Sequence, residues 1–133
     1  MEELVAPMIN ACKNRPDFGT GSERTPAFQA SLAETLAQRV IAFQEFADFF
    51  AREVARLYVA GQLSFEEGDN AIGWLHGFAL MGPQDELLDG LAWQVYLAFD
   101  AGEYHPTGSA AGEDLPQKYT LPRLRQLLSS AEA

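Results

Sequence analysis

Lysine and arginine are missing from the whole stretch between Arg56 and Lys118, so the nine basic residues of this 133-residue chain all lie at its bounds or outside it. The same stretch carries Glu66, Glu67, Asp69, Asp85, Glu86, Asp89, Asp100, Glu103, Glu113 and Asp114. A folded surface rich in carboxylates and poor in cations attracts basic surfaces and repels nucleic acid and anionic lipid. Cysteine is nearly absent as well. Cys12 alone leaves no intramolecular disulfide and no zinc site built on several thiolates, and a reducing cytoplasm is the compartment expected from that usage. Beside Lys13 and Arg15 its thiol has no second cysteine and no catalytic histidine in a recognisable pattern, so it reads as a bystander. Long hydrophobic runs are missing too, each apolar stretch being soon broken by a charge or a glycine. Met1-Glu2-Glu3 is the opposite of the cationic start of a signal peptide, and the expectation is a chain neither secreted nor membrane-spanning. There is no Gly-rich loop followed by lysine to cradle phosphate, and no basic patch with interleaved aromatics. With a net charge of -10, binding to DNA or RNA is disfavoured.

What is present points to a folded helical protein. A hydrophobic fraction of 47% with 21% charged residues is ordinary globular usage, and the length suits one domain with one core. Residues 1–24 read as an N-terminal arm or short helix over 3–13, followed by a breaker-rich connection, and 25–133 as the bundle domain. Thr25-Pro26 supplies a capping hydroxyl and a proline for a first helical turn. From Ala27 to Ala60 there is neither Gly nor Pro, and Leu32, Leu36, Val40, Phe43, Ala47, Phe50, Val54 and Leu57 recur at helical spacing. One long helix or two, with a break between Val40 and Glu45, both fit that pattern. Gly61 suits a left-handed helix end, and Ser64-Phe65-Glu66-Glu67 has the spacing of a capping box. The helix expected over 65–81 contains Gly68, Gly73 and Gly77, which imply either a close neighbour against its backbone or a weak helix. Pro83, Asp85 and Glu86 mark the start of another helix with an apolar stripe of Leu88, Leu91, Ala92, Val95 and Phe99, ended by Gly102. A long loop then runs to Tyr119, and Thr120 is expected to cap a last helix with Leu121, Leu124, Leu127 and Leu128 inward. No strand pattern and no repeat interrupts this. The fold class expected is all-α, a single-domain bundle of four to six helices.

Two acidic groups are candidate contacts for a basic partner. Glu66, Glu67, Asp69, Asp85, Glu86 and Asp89 begin two successive helices, and they share one end of the bundle only if those helices start near each other; antiparallel packing would part them. Glu103, Tyr104, His105 and Asp114 form the second group, in the loop. Asp100, Glu103 and His105, with Asp114, are also where carboxylates and an imidazole could converge on a divalent ion or an acid–base step, which would make the chain a metal-binding sensor or small enzyme. His76 has no second histidine at ligand spacing and reads as a boundary residue. Most aromatics read as core, with Phe46, Phe49 and Trp74 singled out as interface anchors; exposed aromatics on the long helical segment could make the chain a dimeric helical adaptor.

The phrases Leu57-Tyr58-Val59-Ala60-Gly61-Gln62-Leu63-Ser64-Phe65-Glu66-Glu67 and Val95-Tyr96-Leu97-Ala98-Phe99-Asp100-Ala101-Gly102-Glu103-Tyr104-His105 resemble those of small acidic helical bacterial proteins, some of which are immunity proteins encoded beside toxins. The resemblance spans about Arg56 to Leu128 and transfers no functional residue. It implies a non-enzymatic binder without cofactor that blocks a cognate toxin, a basic protein partner in agreement with the charge pattern.

Overall fold

The computed structural model describes residues 2–14, 26–81, 87–103 and 114–132. They form an all-α bundle: α1 (Glu2–Asn14), α2 (Pro26–Gln38), α3 (Phe43–Val59), α4 (Phe65–Met81), α5 (Gly90–Ala101), a π-helical turn (Pro116–Thr120) and α6 (Leu121–Glu132). No helix among the described residues is long and apolar enough to cross a membrane.

α3 is the central element, and its face of Phe43, Phe46, Ala47, Phe50, Ala51, Val54 and Ala55 is buried. Ring contacts fix the direction of its neighbours. Phe43 and Phe46 meet Phe78, Phe50 meets Trp74, and Tyr58 meets Phe65, so α4 runs antiparallel to α3. Asp48 reaches Ala92 while Tyr58 reaches Phe99, so α5 runs parallel to α3. Thr120 bonds Ala98 and Arg123 bonds Gln94, so α6 returns antiparallel to α5. Val5 and Ile9 seat α1 in the same core.

The chain breaks between α2 and α3. In one continuous helix Phe28 and Phe50 would stand about 33 Å apart; in the fold both pack on Trp74, at 6.3 and 5.5 Å between ring centroids. The reversal is a Schellman turn, with Val40 N donating to Ala37 O at 3.1 Å and Ile41 N to Leu36 O at 2.9 Å. Its left-handed position is held by Val40 at φ 56°, and the side chain expected in the inward stripe is instead 88% exposed. α3 ends in the same motif at Gly61, φ 79°, as its glycine implied.

Two helix starts differ from expectation. α5 begins at Gly90, because Gly90 itself is left-handed at φ 53° and stops the helix from extending backwards. Asp48 of α3 then takes the Ala92 N–H at 2.9 Å, so a tertiary contact defines this terminus. Leu88 is buried, but ahead of the helix. Thr120 caps nothing. The last helical segment starts earlier, where Asp114 accepts from Gln117 N at 3.2 Å, and runs through the π turn into α6. The wide turn lies just before Pro122, which has no N–H for the Lys118 carbonyl and whose ring would crowd it. Thr120 is fully buried and donates to Ala98 O at 2.7 Å, satisfying a carbonyl near the end of α5.

Candidate functional site

The alternation of helix directions brings four termini to one end of the bundle: the C-termini of α3 and α5, and the N-termini of α4 and of the segment leading to α6. Glu66, Glu67 and Asp69 arrive on α4, Asp100 near the end of α5, Glu103 in the turn that follows it, and Asp114 ahead of the π turn. Parts of the two groups separated in the sequence therefore form one acidic end. Asp89 does not belong to it. It sits at the opposite end, where Gln44 donates to its carbonyl at 2.8 Å and its carboxylate accepts from Gly90 N. Asp85, Glu86, Tyr104 and His105 lie outside the described residues.

The carboxylates of the acidic end have different work. Glu67 closes the capping box, accepting from Ser64 N at 2.7 Å while its own N–H donates to Ser64 Oγ at 3.1 Å. Asp114 is spent as a cap, and its charge, after burial, helps push the Tyr58 phenol up. Glu66 and Glu103 are exposed. Asp69 is half-buried and hydrogen-bonded to Glu103, and burial first, then that bond and the charges of Glu103 and Asp100, pushes its carboxyl up to about 8. Burial and Glu103 raise Asp100 as well. None of these acids makes an ion pair among the described residues. The ion pairs seen are elsewhere, Arg39 with Glu3 at 2.7 Å and Arg56 with Glu53 at 2.6 Å. Among the described residues no group of three or more His, Cys, Asp or Glu side chains is arranged to hold a metal ion.

The outward seam between α4 and α5 runs down from this end. His76 stacks on Tyr96 at 4.3 Å and Tyr96 on Trp93 at 5.3 Å, all three half-buried. Burial lowers the His76 pKa, so its ring is neutral at physiological pH. On the same side Leu80 is 38% and Leu97 39% exposed. The three glycines of α4 divide here. Gly68 meets Phe99, whose ring would lie 2.8 Å from an added Cβ, whereas Gly73 and Gly77 face open space.

The aromatics expected as anchors are mostly core: Phe46 and Trp74 are buried by α2, α3 and α4, and Phe49 is half-buried under the Arg52 guanidinium. Trp93 and Tyr96 of α5 are half-buried, at the seam with α4. The sequence hid this because α5 is apolar almost all round, so its pattern does not say which side meets water. A cavity of about 200 Å³ between α1 and α3 is lined by Val5, Ile9, Phe49, Leu57 and the Glu53–Arg56 pair. Neither a family model, nor a curated protein, nor a solved structure matches this chain.

Proposed function

We propose that this chain is an acidic binding protein that neutralises a cationic partner, and that the partner is a bacterial toxin for which it serves as the immunity protein. The observation that carries the reading is the acidic end: Glu66 and Asp69 of α4 with Asp100 of α5 and Glu103 in the turn after it, in a stretch of sequence without one lysine or arginine. Such a surface steers a basic protein into contact and takes the place of a polyanion in a phosphate-binding groove. The chain supplies no step of chemistry in this reading; it covers a groove. Nucleic acid and anionic membrane are repelled by the same field.

The test is co-expression with each reading frame that flanks this one, scored first for toxicity when that frame is expressed alone. Wild type should restore growth and capture the toxin, with capture weakening steeply as salt rises. Reversal of Glu66 and Glu103 to lysine should abolish protection while leaving the helical signal intact. Capture indifferent to salt and to both reversals would remove the electrostatic mechanism.

A further inference from the structure

Nothing among the described residues requires glycine at Gly73 or Gly77. Each lies inside α4 at an ordinary helical φ, and an added Cβ at either position meets nothing within 4 Å. Glycine in a helix interior costs about 1 kcal/mol relative to alanine, and no contact with another described residue offsets that cost here, in contrast to Gly68. The bare backbone lies beside a partly apolar face that no other helix covers among the described residues: the half-buried His76 and Trp93 rings, with Leu80 and Leu97 more than a third exposed. Aromatic rings in such a setting supply large contact area at small cost in side-chain entropy. At one end of the face stand Asp69, Asp100 and Glu103, and no cation occurs anywhere on α4 or α5.

We propose that the outward face shared by α4 and α5 docks one helix of a cationic protein, with apolar residues over Gly73, Gly77 and Trp93 and a lysine or arginine at one end reaching Asp69, Asp100 and Glu103. The inference rests on the reading of the chain as a binder of basic partners and adds the surface and the shape of what it binds. From Asp69 to Leu80 the face is about 16 Å long, the length of three helical turns. Glycines let a partner backbone approach to the near end of the usual 8–10 Å interaxial range. Charge decides between occupants: a second copy would bring another -10 and no basic residue on the matching face, whereas a basic helix is complementary at the acidic end and apolar along the rest.

The probe is a synthetic 16-residue helical peptide with leucines at i, i+3 and i+7 and three lysines in one terminal turn, titrated into the full chain. Trp93 is the reporter, since Trp74 is buried. Binding should shield Trp93 from acrylamide and weaken at least tenfold when the lysines become glutamates. The double variant Gly73→Gln/Gly77→Gln keeps the charge, strengthens the helix and fills the bare surface, so it should melt no lower than wild type yet lose at least tenfold in affinity. If the peptide, followed by titration calorimetry, binds equally well to this variant and to Trp93→Ala, the face is wrong while the acidic reading survives. A peptide that does not bind wild type, or a wild-type chain that sediments as a dimer dissociated by the glycine substitutions, also overturns the inference, and the co-expression assay then judges the broader reading on its own.

Discussion

A valine at φ 56° and a glycine at φ 79° end two successive helices with the same pair of backbone hydrogen bonds. The geometry suits the glycine. A β-branched side chain in the left-handed region is strained by about 1–2 kcal/mol, and Val40 recovers little by burial because it is almost wholly exposed. Val40→Gly should therefore raise stability by about 1 kcal/mol, less whatever the freer unfolded chain takes back, as measured by urea unfolding. Asp69 carries the second prediction at this scale. Its folded pKa near 8 lies above the ordinary 3.8, so the folded state holds a proton that the unfolded chain gives up. Stability from this group is complete below about pH 4 and is lost as the pH rises towards 8. Asp69→Asn removes the loss, so its advantage over wild type should grow between pH 5 and pH 9 in paired unfolding curves. Glu3, lowered to about 2, acts in the acid range below 4.5 with the opposite slope and is common to both proteins.

The glycines of α4 and the start of α5 carry predictions at the scale of an element. Gly68→Ala drives a Cβ into the Phe99 ring, which Tyr58 and Phe65 hold from other sides, so it should destabilise by about 1–3 kcal/mol despite better helix propensity. Gly73→Ala and Gly77→Ala should each stabilise by about 1 kcal/mol. At the head of α5, Asp48→Ala removes the acceptor of Ala92 N and of Gln44 Nε2 and should cost about 1–2 kcal/mol, more than Asp89→Ala, whose carboxylate accepts from Gly90 N alone among the described residues. These contrasts mark where local sequence was sufficient. The capping box at Ser64, the reversal at Gly61 and most of the inward faces of α3 and α4 are encoded within a turn or two and were readable, whereas Phe46 and Trp74, singled out as interface anchors, belong to those faces. The start of α5 depends on a carboxylate 44 residues away, and the break after Gln38 on two phenylalanines sharing one tryptophan. Acids that could form a site were legible as types, but their grouping was not. Adjacency of Asp69 with Asp100 and Glu103, and the separation of Asp89 from them, follow from helix direction, which no spacing rule reports.

Across the whole molecule, salt should act with opposite signs on folding and on binding. The net charge of -10 and the crowding at one end make the native state repel itself, and about 0.1 M salt already screens beyond roughly 10 Å. Raising NaCl from 10 to 500 mM should thus lift the melting temperature by a few degrees, about 1 kcal/mol being worth roughly 3–5 °C at this length. The same addition should weaken capture of a basic partner. The proton held between Asp69 and Glu103 gives this end a further property: near neutral pH it is partly titrated before any partner arrives. A guanidinium or ammonium placed there favours the ionised carboxylates and expels that proton into solution. Calorimetric heats at pH 7 should accordingly differ between phosphate and Tris by the difference in their ionisation enthalpies, and that difference should vanish at pH 9.5, where the site has already discharged.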